Sequence, residues 1–271
     1  MAITNSAAST VMVSSTARPP ISWQRYLARA DSQADAGRWK QAVASLERAI
    51  AAGGDAYTCT LRIAEVYRTV ELWPMALEAA ERAASLAPRR ILAYEAITAI
   101  ALQTGAYERA IAASNAIIKL APRHLAAYNA LGAAYIQMGE TDAAMRITNA
   151  LIRLDPQTPA HRFKKALLCQ HKNEVALAVH EFTETIRLDP DGPHAAAAIE
   201  ALETLDHHQL NQILTLAMED AVFRLNLIRS AADAAEERGF ALSETGKIIL
   251  TEICIQSLSE WDEPCRPQFY H

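Results

Sequence analysis

The chain has 271 residues, a net charge of −5 and a pI near 5.9, so it is long enough for one or two domains with a real core and gives no basic footprint for nucleic acid. Half of its residues are apolar but only 6% are aromatic, and its many alanines favour packed helices over sheets. No apolar run reaches the roughly 18 residues of a membrane span, so neither nucleic acid nor membrane insertion is expected.

The first 22 residues are rich in Ser, Thr and Ala, contain Pro19-Pro20, and lack the basic start and apolar stretch of a signal peptide. They read as a disordered leader. The cysteines, Cys59, Cys169, Cys254 and Cys265, form no C-x-x-C pair and indicate neither a zinc site nor a disulfide framework. A reducing, cytoplasmic setting is expected.

From residue 23 the chain keeps a period of 34. Pro88, Pro122, Pro156 and Pro190 form one series. Ala42, Ala76, Ala110, Ala144 and Ala178 form a second, each 12 residues before the proline, with Gly54 in the proline's place in the first unit. Gly37, Glu71, Gly105, Gly139 and Asn173 lie five residues before the alanines, and four of them tolerate a left-handed backbone. Each unit therefore reads as helix, tight turn, helix and a stop at proline. The small residue early in the second helix lets it approach its partner closely. Stacked pairs share a core that one pair cannot build. The units are 23–56, 57–90, 91–124, 125–158 and 159–192.

This pattern resembles the tetratricopeptide repeat family. The fourth unit matches it best, with Tyr128, Leu131, Gly132, Tyr135, Gly139, Ala144 and Pro156 in the expected places. The small residue in the eighth place is Ala30, Ala64, Thr98, Gly132 or Ala166. Departures are Glu71 at a turn, and Ile117, Leu151 and Thr185 where a small residue is usual. The resemblance implies an all-α, right-handed α-solenoid with a concave groove lined by the first helix of each pair, fit for another protein or a peptide segment. The residues it places in that partner-binding groove are Arg62, Glu65, Arg68, Glu95, Leu102, Gln103, Asn129, Ala133, Ile136, Gln137, Phe163, Lys164, Leu167 and His171. The Lys and Asn set by which some members clamp a chaperone's C-terminal carboxylate is absent from its usual places.

The phase is lost after Pro190. A capping helix is expected over 193–206, an acidic helical module over 207–260 and a flexible tail over 261–271. Helices are expected at about 208–219, 221–237 and 243–258, with Gly239 ending the second and Ser243 capping the third. From Asp206 onward there are 11 acidic and 5 basic residues. This region also resembles, more faintly, the helical leader of nitrile-hydratase-like ribosomal peptide precursors, through Asp220, Phe223-Arg224, Leu227, Ala234-Ala235, Gly239 and Leu242-Ser243. That likeness implies a modified segment around Cys265.

No phosphate-binding glycine loop, zinc-binding helix motif or nucleophile elbow is present, and His207-His208 beside Asp206 reads as a surface turn. Trp23, Trp39 and Trp73 read as packing residues, and Trp261 as an anchor for a partner. No enzyme activity, cofactor or metal is expected. The expected function is that of a scaffold or adaptor holding a partner segment in the groove. The alternative is a precursor or accessory of a peptide-modifying pathway with the C-terminal region as its recognition handle.

Overall fold

The computed structural model describes residues 22–261, all of whose regular elements are α-helices. Of the expected leader, 1–22, all but Ser22 lies outside the described residues, as does the expected tail, 261–271 with Cys265, apart from Trp261, which ends the last helix. The chain divides into two compact units, one ending at Ala96 and the other beginning at Ile97.

The first unit holds the hairpins α1 (Trp23–Asp35) with α2 (Trp39–Ala51) and α3 (Ala56–Thr69) with α4 (Trp73–Leu86). The helix α5 (Ile91–Gln103) begins in it and ends in the second unit. There follow α6 (Tyr107–Leu120), α7 (Leu125–Gln137), α8 (Thr141–Leu154), α9 (Pro159–His171) and α10 (Val175–Leu188).

Each pair closes through the same backbone device. A residue with φ between 58° and 75° stands at Gly37, Glu71, Gly105, Gly139 and Asn173. The next N–H reaches back to the last turn of the first helix: Arg38 N to Gln33 O, Leu72 N to Tyr67 O, Ala106 N to Ala101 O, Glu140 N to Tyr135 O and Glu174 N to Cys169 O, at 2.8–2.9 Å. These bonds satisfy carbonyls that a helix end would otherwise leave orphaned. Glu71, which the sequence marks as a departure, adopts the same left-handed backbone as the glycines despite the steric cost of its Cβ. The periodic alanines Ala42, Ala76, Ala110, Ala144 and Ala178 are all fully buried. Gly132 occupies a buried position where an added Cβ would lie 3.5 Å from Ile147 Cγ2. Ile117, Leu151 and Thr185 stand where a small residue is usual, yet each is at most 1% exposed. The larger side chains are absorbed by the interior. The prolines stay exposed at the helix ends, and two carbonyls serve as acceptors: Tyr94 Oη donates to Pro88 O and Tyr128 Oη to Pro122 O, each at 3.2 Å.

Beyond the hairpins the helices differ from the sequence expectation. α11 (Ala195–Glu219) runs without a break through Asp206, so the expected cap and the first module helix are one element. His207 and His208 lie within it, exposed but not in a turn. The expected helix at 221–237 is two, α12 (Ala221–Arg229) and α13 (Ala231–Glu237), because the backbone at Ser230 is extended. α14 (Glu244–Trp261) follows. Leu210, Ile213, Phe223, Leu227, Leu242 and Leu250 form the centre of a separate core shared by these four helices.

Candidate functional site

The first helices of the pairs carry the residues expected to line a groove, and each compact unit has its own share of them. In the first unit, α1 and α3 are tied by Arg62 Nη1, which donates to Asp31 Oδ1 and Oδ2 at 2.8 and 3.1 Å. One turn on, Arg68 forms a forked pair with Glu65 at 2.8 and 2.5 Å. The hydrogen bonds to Arg68 hold the Glu65 carboxyl below its usual range and push the Arg68 guanidinium up. Arg62, Glu65 and Arg68 are therefore neutralised by partners within the chain, and as exposed pairs they contribute little to stability. Glu95 is half-buried.

In the second unit α7 and α9 present a different surface. Lys164 is half-buried, and its Nζ donates to Asn129 Oδ1 at 2.9 Å. Among the described residues no carboxylate pairs with it. Burial lowers its pKa, as expected for an ammonium losing water without gaining an anion. Helical spacing sets Ala133 and Ile136 on the same face of α7 as Asn129, and Leu167 and His171 on the same face of α9 as Lys164. Ile136 and Leu167 are each 44% exposed, and Ala133, Gln137 and His171 are exposed too. Gln103 is exposed at the end of α5, whereas Leu102 is half-buried against Ala101, Ala110 and Ala134. Phe163, expected in the groove, packs instead: its ring meets Phe182 edge-on at 5.7 Å and stacks on His194 at 5.1 Å. Its place in the helix register is that of a groove residue, but the start of α11 supplies a covering partner that no repeat pattern announces.

Two buried ionisable groups behind this face have no signature in the sequence. Glu181 on α10 is 3% exposed and bridges to α9 through Arg162 at 2.9 Å and Lys165 at 2.7 Å. His161 is 4% exposed and neither ring nitrogen finds a hydrogen-bond partner, the Asp155 carboxylate lying 3.8 Å away. Burial lowers its pKa, the charge of Lys164 lowers it further, and Asp155 opposes both. A cleft of about 510 Å³ opens between α10 and the α13–α14 region, lined by Val179, His180, Glu236, Phe240 and Lys247. Its one lysine is already paired with Glu244 at 2.8 Å.

The residues that carry the fainter C-terminal likeness all build the local fold. Asp220 Oδ1 accepts from Val222 N and Phe223 N at 2.9 and 3.0 Å, and Asp220 pairs with Arg238 at 2.6 Å. Arg224 Nη1 donates to Ala217 O at 2.7 Å. Phe223, Leu227, Ala234, Ala235 and Leu242 are core residues, and Gly239 has φ 86°. Ser243 Oγ accepts from Gly246 N at 3.1 Å, capping α14.

Among the described residues no group of three or more His, Cys, Asp or Glu is placed to hold a metal ion, and no helix is long and apolar enough to cross a membrane. No curated protein sequence matches the chain. The family model of the tetratricopeptide repeat matches residues 101–168. A solved MamA protein has a similar fold, with a TM-score of 0.55 and 21% identity over 62% of this chain and 92% of that one. MamA from Desulfovibrio magneticus RS-1 gives 0.54 and 17% identity over 63% and 97%. YrrB, described as a TPR protein with an unusual peptide-binding site, gives 0.53 and 17% over 65% and 90%. The helical hairpins of this chain, with their buried alanines and left-handed turns, have the fold of these solved repeat proteins, and residues 101–168 match the tetratricopeptide repeat model.

Proposed function

We propose that the protein is a non-enzymatic interaction scaffold or adaptor that holds a segment of another protein against α7 and α9, in a cytoplasmic setting. The observation that carries this reading is Lys164. It is a half-buried ammonium whose hydrogen-bond partner among the described residues is a neutral amide, and helical spacing places exposed Ile136 and Leu167 on the same helix faces. Burying a charge without an opposite charge is costly, and an incoming carboxylate or a cluster of carbonyls would relieve that cost. The two aliphatic side chains offer apolar anchor points on either helix. Together they suit an extended or helical segment that pairs one acidic or carbonyl-rich position with apolar neighbours. Arg62, Glu65 and Arg68 in the first unit are already paired within the chain, so they add less to recognition. The buried thiols Cys59, Cys169 and Cys254 are unpaired, which is in keeping with a reducing compartment.

The test is affinity capture from source-cell lysate with three full-length baits: wild type, Lys164→Glu, and the double variant Ile136→Asp/Leu167→Asp. A partner retained by wild type and lost by both variants supports the reading. A partner captured equally by all three places binding elsewhere and removes it.

A further inference from the structure

Lys164 differs from other lysines of the chain in what its ammonium meets. Lys165 Nζ lies 2.7 Å from Glu181, Lys172 Nζ reaches Asp142 and Glu174 at 3.1 and 3.0 Å, and Lys247 Nζ reaches Glu244 at 2.8 Å. Lys165 and Lys247 are half-buried, as Lys164 is, but Lys164 donates to the neutral Oδ1 of Asn129 at 2.9 Å. The elements around it supply no free anion. α7, which carries Asn129, has no charged residue, and α9 has no acidic one. Glu181 of α10 is taken by Arg162 and Lys165. His161, one turn back on α9, has no hydrogen bond at either ring nitrogen.

The consequences for the amines are opposite. Hydrogen bonds to Glu174 and Asp142 push the Lys172 pKa up, and the bond to Glu244 does the same for Lys247, whereas burial lowers that of Lys164. An ammonium that loses water without gaining an anion gives up its proton more readily, and the neutral amine is the nucleophile. The Asn129 carbonyl accepts one N–H and so holds the amine while leaving its lone pair free. Charge selects the electrophile: Arg162 and Lys165 share one carboxylate, so the segment keeps a positive surplus, which favours an anionic donor.

We infer that Lys164 is a modification site whose Nζ is acylated directly by an acyl phosphate. The ammonium first passes a proton to water. The freed electron pair attacks the carbonyl carbon, the N–C bond forms, and the C–O bond to phosphate breaks with its pair leaving on the phosphate. The surplus proton on nitrogen goes to water or phosphate, and a neutral amide replaces the ammonium. The residue is one that the reading above places against a partner, but its reactivity does not depend on that reading.

Purified full-length protein is incubated with acetyl phosphate at about pH 7.5, and site-resolved mass spectrometry reads the initial rates at Lys164, Lys165, Lys172 and Lys247 on the same chain. Lys164 is expected to lead by roughly ten-fold, the change in free-amine fraction that one pKa unit makes. Between about pH 7 and 11 its rate should level off at a lower pH than that of Lys247, a difference that accessibility alone would not produce. Asn129→Asp, which sets a carboxylate against Nζ, should cancel the lead. Asn129→Gln, which keeps a neutral amide, should retain it. The inference is overturned if Lys164 reacts no faster than the paired lysines, if its rate levels off no earlier than that of Lys247, or if the two Asn129 variants behave alike. No partner protein enters this assay, so a missing acylation lead and a failure of Lys164→Glu to lose lysate partners are separate results.

Discussion

The repeat hairpins and the C-terminal helices are both all-α, but they are held together differently. In the hairpins close approach comes from fully buried alanines at a fixed spacing, and each turn closes on the same left-handed residue. In the C-terminal region buried polar side chains staple distant stretches of chain. Asp206 on α11 accepts from Ser243 N at 2.8 Å and from Ser243 Oγ. One turn on, Gln209 both donates to Ala241 O at 2.9 Å and accepts from Ala241 N at 2.7 Å. Gly246 permits this, since a Cβ there would lie 2.5 Å from Asp206 Cγ.

The sharpest way to break that comparison is Asp206→Ala. It leaves a buried N–H and hydroxyl of Ser243 without their acceptor, at a cost of about 3 kcal/mol. Amide hydrogen exchange should then rise over 241–256 while the amides of 101–168 keep their protection. A uniform rise would show that the two regions unfold as one. Next in size is Ala144→Leu, which overpacks the α7–α8 crossing and should cost roughly 1–3 kcal/mol in urea denaturation. An unchanged midpoint would contradict the packing role assigned to the buried alanines.

The smallest effect concerns pH. His161 is buried with its pKa below the ordinary value of 6.5, so the unfolded chain binds its proton more readily than the folded one. Its contribution to stability is therefore present above pH 6.5 and is lost as pH falls from there through the folded-state value. Denaturation midpoints at pH 7.5 and 5.5 should differ more for wild type than for His161→Gln. Equal differences would remove His161 as the source.

The hairpins, their turns and their buried alanines were legible in the sequence because each depends on residues within one 34-residue period. The expectation that Ile136, Lys164 and Leu167 share a groove came from the family resemblance alone. The remainder depends on residues far apart in the chain. The break at Ser230, the unbroken α11 and the Asp206–Ser243 staple join positions with no shared period. The same holds within the groove set. Whether a side chain stays available is decided by what faces it: Asp31 takes up Arg62, and Phe182 and His194 take up Phe163. Among the described residues, Lys164 has the Asn129 amide and no carboxylate. Sequence alone determined the repeating hairpin and its register, since local spacing dictates both. Only the tertiary structure decided which charges are neutralised and which apolar faces remain uncovered, since Coulomb pairing and burial depend on distances between elements that periodicity does not encode.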